Sequence, residues 1–183
     1  MKPADTVEGR DRLRLFCALR LPDPVLDGLE RWQADHLHDG RIVPRGHLHA
    51  TLAFLGSTPA SELDSVTSAL REAAVGAGEI VLSADRYRET RSVGMVVFDD
   101  ELGEGDRFAV RLFERLEELG VYEREKRPWL PHVTVVRFRQ RPRLDPPVPE
   151  VGAFSPSDAA VYHSLLRPSG AQYEVLETVA LGG

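Results

Sequence analysis

Two copies of one short pattern, a histidine followed two residues later by a threonine, lie in opposite halves of the 183-residue chain. The first is His49-Ala50-Thr51-Leu52 and the second is His132-Val133-Thr134-Val135, each inside an apolar, β-prone run. In an extended strand successive side chains point to opposite faces, so each histidine shares a face with its threonine. Two imidazoles can give and accept protons, and two hydroxyls can donate hydrogen bonds to phosphate oxygens. If the fold brings both pairs to one cleft, the spacing predicts phosphate ester chemistry.

Two other interpretations of these histidines stay open at this point. Both could be ordinary strand residues with β-branched neighbours. His47 and His49 also form a His-x-His pair that could ligate zinc, although neither a cysteine cluster nor a His-Glu helix motif completes such a site. His36, His38 and His163 lack a threonine partner, and we expect surface or packing roles for them.

The elements that must position the two pairs can be predicted from hydrophobic periodicity and turn residues. Strands are expected at 13–21, 42–43, 47–55, 79–82, 87–91, 93–98, 131–138, 151–154, 158–166 and 173–180. Helices are expected from residue 25 for about three turns, with Asp23 as the cap, and at 61–74 and 106–119. The order strand, helix, motif strand occurs around both copies. It predicts two related lobes around a shared groove.

The composition is that of an ordinary globular protein, with 42% hydrophobic and 28% charged residues. Residues 1–11 are charged and aperiodic and are expected to form a loose leader, followed by a single domain over 12–183. The formal net charge of −6 argues against duplex DNA as a partner. No membrane span or signal peptide is evident, which predicts a cytoplasmic protein without a membrane partner. The single cysteine, Cys17, is expected in the core.

Four segments of the chain resemble the two-histidine phosphoesterases, specifically the RNA 2′,3′-cyclic phosphodiesterases, also called 2′-5′ RNA ligases. The resemblance covers nearly the whole chain from about residue 13. It is carried by Leu15-Phe16-Cys17-Ala18-Leu19 with Pro22-Asp23, by His49-Ala50-Thr51-Leu52-Ala53-Phe54-Leu55-Gly56, by Pro131-His132-Val133-Thr134-Val135-Val136-Arg137, and by Tyr173-Glu174-Val175-Leu176.

The resemblance implies an α+β bilobal fold in which antiparallel sheets from two pseudo-symmetric lobes line a central cleft, with helices outside. It implies hydrolysis of a 2′,3′-cyclic phosphate on RNA or a nucleotide to a terminal 2′-phosphate, with possible reversal as 2′-5′ ligation. It implies no metal and no cofactor. His49 is then the proton donor, His132 the proton acceptor and Arg137 a phosphate contact. We expect Thr51 and Thr134 to bind the non-bridging phosphate oxygens.

Several points stay open at the level of sequence. Phe54 and Arg137 each lie five residues after a motif histidine, and strict alternation would turn both away from the cleft. Either the strand bends there, or these residues belong to the core and the surface. Phe54 could stack on a base or pack in the core. The basic residues from Arg124 to Arg143 could be a solvated edge or a track for RNA. A non-catalytic RNA- or nucleotide-binding module, or a phosphodiesterase for a cyclic phosphate of ADP-ribose, are the alternative functions, and a monomer is the expected state.

Overall fold

The structure, a computed structural model, describes residues 11–182. The expected leader therefore lies almost entirely outside the described residues. The strands are β1 (Arg12–Arg20), β2 (Arg41–Ile42), β3 (His49–Pro59), β4 (Leu82–Glu89), β5 (Val93–Asp100), β6 (His132–Arg137), β7 (Asp158–Arg167) and β8 (Gly170–Val179). The helices are α1 (Asp23–His36), α2 (Leu63–Ala74) and α3 (Glu104–Glu118). None of these helices is long and apolar enough to span a membrane.

All strand pairs are antiparallel and form one eight-stranded sheet in the order β4-β5-β6-β3-β1-β7-β8, with β2 paired to β6. The two motif strands, β3 and β6, are neighbours at the middle of this order. On one side β3 pairs with β1, and on the other β6 pairs with β5. In each lobe that partner strand is followed along the chain by a helix, α1 or α3, that leads back towards the motif strand. The expected α+β fold with two related lobes is confirmed.

The two faces of the sheet have different partners. The face that carries Ala50 and Val133 joins the three helices in the main hydrophobic core, which contains Leu29 of α1, Leu70 of α2 and Phe108 of α3. We call this the core face. The opposite face carries the motif histidines and threonines, and we call it the cleft face. A second, small cluster lies there, formed by Phe16, Ala18, Ala160 and Tyr162 with Tyr173 packed against it.

Most predicted elements are present within one to four residues, and the exceptions have local causes. The separate strands expected at 79–82 and 87–91 are wrong, because one strand, β4, runs through Asp85 with a bulge. The strand expected at 151–154 is reduced to a single bridge between Phe154 and Leu82. β3 does not end at Gly56, which has a φ of +68° within the strand. Glycine adopts such a bulge conformation without a Cβ clash.

The helices begin at other residues than expected. α1 begins at Asp23 itself, after Pro22, and no side chain caps it, so the predicted Asp23 cap is wrong. A carboxylate in the first helical turn still interacts favourably with the helix dipole. α2 begins two residues late because a short 3-10 turn occupies Ala60–Glu62. Cys17 is fully buried, and this burial raises the pKa of its thiol to about 12, as expected of a core cysteine.

Candidate active site

The two histidine motifs meet at one pair of residues in the middle of the sheet. Ala50 of β3 lies opposite Val133 of β6, and both side chains are fully buried on the core face. Residues on either side of such a pair point to the other face. An antiparallel register then sets His49 beside Thr134 and Thr51 beside His132, all on the cleft face. The pair acts as an approximate two-fold axis, and the structure brings the four motif side chains together.

A bulge in each motif strand restores Phe54 and Arg137 to the cleft face. In β6, Gly94 pairs with Val136 but Met95 pairs with Thr134, so Val135 is the extra residue. In β3, Cys17 pairs with Ala53 but Ala18 pairs with Thr51, so Leu52 is the extra residue. Both bulges lie three residues after the histidine. Because a bulge shifts the alternation by one residue, the fifth residue after each histidine turns towards the cleft.

The side chains at these two positions are both exposed. Phe54 is 49% exposed, and its ring contacts Phe16 and the guanidinium of Arg14, which lies 4.8 Å from the ring centroid. The core-packing interpretation of Phe54 is therefore wrong. Arg137 is exposed and close enough to the histidines for its charge to lower the pKa of both His47 and His49.

Gln33 of α1 holds the β6 bulge from the core side. Its Nε2 donates to the carbonyl of Val135 at 2.9 Å and to the carbonyl of Val43 at 3.0 Å. The backbone N–H of Val43 also donates to the Val135 carbonyl, at 3.1 Å. Gln33 is only 2% exposed, so its amide would be costly to leave unpaired. This buried amide ties the bulge to the helix, and a single glutamine in an otherwise amphipathic helix was not singled out from sequence.

His132 has a fixed ring orientation. Its Nδ1 lies 2.8 Å from the carbonyl oxygen of Leu130. A carbonyl can only accept, so Nδ1 carries the hydrogen and, in the neutral ring, Nε2 carries the lone pair. The ring is partly exposed on the cleft face. The neutral ring can therefore accept a proton at Nε2.

His49 lies in a drier environment. Burial is the main cause that lowers its pKa to about 4, and the charges of His47, His132 and Arg137 act in the same direction. The nearby backbone carbonyl of His47 raises the pKa by a smaller amount. Nδ1 of His49 is nevertheless buried and has no partner within hydrogen-bond geometry. Nε2 lies 3.1 Å from Oγ1 of Thr51. With a pKa of about 4, His49 is neutral at pH 7.

Aromatic rings on the cleft face surround His49. The ring centroid of Phe16 lies 5.0 Å from that of His49, and those of Tyr173 and Tyr162 lie 5.5 Å and 5.6 Å away. Phe16 and Tyr162 stack in parallel at 4.7 Å. These rings explain the burial of His49. Strand parity is enough to place Phe16 on this face, but Tyr162 and Tyr173 come from the far end of the chain, where no local pattern indicates the contact.

Trp129 connects the two motifs through the backbone. It lies three residues before His132, and its indole Nε1 donates to the carbonyl of Thr51 at 3.0 Å. Since β3 and β6 share only one paired position, this bond supplies a partner for a carbonyl that the strand partner does not reach. Trp129 is a second residue that sequence analysis missed.

The structure places no third zinc ligand beside His47 and His49 in the described part of the chain. Among residues 11–182, no group of three or more His, Cys, Asp or Glu side chains is placed to hold a metal ion. His47 instead lies against Tyr173, with ring centroids 4.3 Å apart, and its pKa is lowered by burial and by the charges of Arg137 and Arg41.

Three of the six basic residues before and after the second motif are paired with carboxylates. Arg124 contacts Glu117, Arg127 contacts Glu125 and Arg141 contacts Glu89. Glu89 is buried and also accepts hydrogen bonds from the backbone of residues 143 and 144. Arg141 therefore anchors a loop, and the solvated, ion-paired edge is favoured over a continuous RNA track.

Comparison with known proteins agrees with this arrangement. The family described as LigT-like phosphoesterase matches residues 19–92. The chain is 32% identical to the RNA 2′,3′-cyclic phosphodiesterase of Thermus thermophilus over 181 residues, which covers 93% of this chain and 91% of that protein.

Solved structures show the same fold. A crystal structure of a Thermus thermophilus protein superposes with a TM-score of 0.80 at 28% identity, covering 93% of this chain and 99% of that one. Escherichia coli LigT complexed with 3′-AMP superposes with a TM-score of 0.80 at 22% identity, covering 94% of this chain and 99% of that one. The chain aligns with the Thermus phosphodiesterase over most of its length, and it shares the fold of the solved relatives. This chain therefore belongs to the LigT-like phosphoesterases.

Proposed function

We propose that this chain hydrolyses the 2′,3′-cyclic phosphate of RNA ends or nucleotides to a 2′-phosphate. The observation that carries the proposal is the antiparallel pairing of Ala50 with Val133, which sets two histidines and two threonines around one point of the cleft face. The Thermus thermophilus and Escherichia coli relatives named RNA 2′,3′-cyclic phosphodiesterase support this choice of substrate.

His132 takes the proton of the attacking water. Its Nδ1 hydrogen is held by the Leu130 carbonyl, which leaves the Nε2 lone pair for the water. The water oxygen forms a bond to phosphorus as the bond from phosphorus to the ribose O3′ breaks. The released proton resides on His132 until solvent removes it.

His49 gives a proton to the departing O3′. This role needs a protonated ring, whereas burial and, to a smaller extent, the charges of His47, His132 and Arg137 lower the pKa of His49 to about 4. A bound cyclic phosphate brings a negative charge beside the ring, which raises its pKa. Substrate binding and proton uptake are therefore coupled, and the acid is formed where a phosphate is present to use it.

The remaining contacts stabilise charge and orient the substrate. Thr51, Thr134 and Arg137 bind the non-bridging oxygens, on which negative charge increases in the transition state. Phe54 offers an exposed ring on the same face for stacking with the base. The same groups can act on an RNA 5′-hydroxyl in place of water. His132 takes the hydroxyl proton, the O5′–P bond forms as the P–O3′ bond breaks, and O3′ takes a proton from His49, which gives a 2′-5′ linkage.

The proposal extends to the state of the protein. Residues 12–183 act as one domain, and we place the enzyme in the cytoplasm, as a monomer. The exposed large apolar side chains of the described residues are spread over separate elements, such as Ile42 on β2, Val75 after α2 and Leu119 after α3. Stable dimers usually bury one contiguous apolar patch.

The test is product analysis with adenosine 2′,3′-cyclic phosphate in the presence of EDTA. The expected product is 2′-AMP. His49→Asn and His132→Asn should each lower kcat by about 10²- to 10⁴-fold, whereas His38→Asn, at an exposed histidine away from the motifs, should not. Release of 3′-AMP would reverse the leaving-group assignment. Binding of 2′-AMP without any hydrolysis of the cyclic nucleotide would identify a binding module instead.

A further inference from the structure

Two arginines lie side by side at the edge of the cleft face. Arg41 of β2 pairs directly with Arg137 of β6 in an antiparallel register. Directly paired residues point to the same face, so both guanidinium groups extend towards the cleft. The charge of each lowers the pKa of His47, which agrees with this placement.

The arginines of the described residues fall into an ion-paired group and an unpaired group, and Arg41 and Arg137 belong to the unpaired group. Eight other arginines form ion pairs with aspartate or glutamate, among them Arg20 with Asp158 and Arg45 with three acidic side chains. Within residues 11–182, neither Arg41 nor Arg137 forms one. Like charges directly opposite each other destabilise a sheet, and the chain has 29 acidic residues that could have neutralised them. The arrangement suits an anion from outside the protein.

The position of Arg41 is limited by the hairpin between β7 and β8. Its Nη1 lies 3.4 Å from the point that a Cβ on Gly170 would occupy, so the turn of this hairpin lies against the guanidinium. The same hairpin carries Tyr173, which contacts His47 and His49. This contact places the guanidinium of Arg41, an exposed side chain, beside the site.

We propose that Arg41 forms a second anion subsite that binds the phosphate on O5′ of the ribose carrying the cyclic phosphate. The inference rests on the proposed function, in which Arg137 binds the reacting phosphate. A ribose with its 2′ and 3′ oxygens in the cyclic phosphate and its C1′ bonded to a base has one other hydroxyl, O5′. A second phosphate adjacent to the first is thus a 5′-phosphate in a nucleotide, or the next phosphodiester in RNA.

The consequence is a preference for substrates with a 5′-phosphate. We expect kcat/KM for adenosine 5′-phosphate 2′,3′-cyclic phosphate, and for the dinucleotide ApA with a terminal cyclic phosphate, to exceed that for adenosine 2′,3′-cyclic phosphate by about tenfold, as for one charge-assisted hydrogen bond. Added salt should reduce this ratio, since the contact is exposed. The substrate with the higher kcat/KM shows which phosphate the subsite binds. Adenosine 5′-phosphate 2′,3′-cyclic phosphate offers a free 5′-phosphate, and the ApA dinucleotide offers an RNA phosphodiester.

Arg41→Gln should abolish the preference and change kcat/KM for adenosine 2′,3′-cyclic phosphate by less than about twofold. Arg71→Gln is the matched control, because it removes the same charge from an exposed arginine on α2, away from the cleft. The preference should survive this change. Equal rates for all three substrates in the wild type, a retained preference in Arg41→Gln, or an equal loss in Arg71→Gln would each overturn the inference.

A binding measurement separates this inference from the proposed catalysis. By calorimetry, wild-type protein should bind adenosine 2′,5′-bisphosphate about tenfold more tightly than adenosine 2′-phosphate, and Arg41→Gln should bind both equally. If the cyclic nucleotide is not hydrolysed but this difference in affinity is present, the proposed catalysis fails and the subsite stands. If hydrolysis occurs without the difference, only the subsite is rejected.

Discussion

The two motif strands carry the same motif and a bulge at the same place after it, but their chemical surroundings differ. β3 and β6 each carry a histidine, a threonine two residues later, and a bulge three residues after the histidine. Each bulge turns the fifth residue to the cleft face. That residue is Phe54 in one strand and Arg137 in the other. The two strands thus provide equivalent positions on the cleft face. One position carries an apolar ring and the other carries a positive charge.

The histidines differ in the same way. His132 donates through Nδ1 to the carbonyl two residues before it, at 2.8 Å. The equivalent carbonyl for His49 is that of His47, but there Nδ1 makes no proper hydrogen bond. His49 instead packs against Phe16. Two related strands therefore give one imidazole a fixed tautomer and lower the pKa of the other, and the proposed mechanism uses the first as the proton acceptor and the second as the proton donor.

The largest effect that tests this comparison is expected at the fifth residues. Arg137→Gln should lower kcat/KM for adenosine 2′,3′-cyclic phosphate by about a hundredfold, mostly in kcat, because a charged contact to the reacting phosphate strengthens in the transition state. Phe54→Ala should raise KM by about tenfold and retain kcat, because base stacking is equal in the ground and transition states. Steady-state kinetics on both variants separates kcat from KM.

Arg139→Gln serves as the control for charge, since Arg139 is exposed, lies two residues beyond Arg137 and has no ion pair in the described part of the chain. Its kinetics should match those of the wild type. If Phe54→Ala lowers kcat as strongly as Arg137→Gln, the two positions do not have the different roles assigned to them.

The sequence predicted the parts of the site that depend on local periodicity. Apolar, β-prone runs indicated both motif strands, and alternation of side chains along a strand indicated the shared face of each histidine and threonine. Apolar positions at helical spacing indicated the three helices. The bulges at Leu52 and Val135 could not be predicted in this way. They depend on pairing with another strand and, in β6, on a glutamine from α1, more than 100 residues away along the chain. This is why simple alternation placed Phe54 and Arg137 on the wrong face.

Contacts with residues far away along the chain also determine whether a basic residue is free to bind RNA. From sequence, Arg141 looked the same as other arginines after the second motif. In the fold it contacts the buried carboxylate of Glu89, 52 residues earlier in the chain. The tyrosines beside His49 are a similar case, since they come from the last hairpin. Sequence periodicity describes one element at a time and does not give such contacts between elements.

A second, smaller effect concerns how the stability of the protein depends on pH when no phosphate is added. The pKa of His49 is lowered from about 6.5 to about 4 on folding, so the unfolded chain binds a proton in this range and the folded chain does not. The titration of His49 therefore leaves the free energy of unfolding unchanged above about pH 6.5 and lowers it as the pH falls towards 4. After allowance for solvent screening, we expect His49 to account for a loss of about 2 kcal/mol.

The measurement is the free energy of unfolding by urea at pH 7 and pH 4.5, for wild type and His49→Gln. The variant has no titrating group at this position and should lose less stability on acidification than the wild type. Saturating inorganic phosphate should reduce the wild-type loss, because a bound anion raises the pKa of His49. Identical pH dependence in the two proteins would show that His49 is not held neutral by its surroundings.

The smallest effect is expected at Gln33, which contacts neither histidine and is not part of the cleft face. Gln33→Met keeps the length of the side chain but removes the donor to the Val135 and Val43 carbonyls. We expect kcat/KM to fall by about tenfold, because the bulge that aims Arg137 is less constrained, and stability to fall by about 1–3 kcal/mol. Thr67→Val, at a buried hydroxyl within α2, is a control that should lower stability without this loss of activity.

The deciding comparison is the double variant of Gln33→Met with Arg137→Gln. If Gln33 acts through the arginine, its replacement should have no further effect on kcat/KM once Arg137 is absent, while the loss of stability persists. A further tenfold fall in that background would mean that Gln33 supports the site as a whole and not the direction of one side chain.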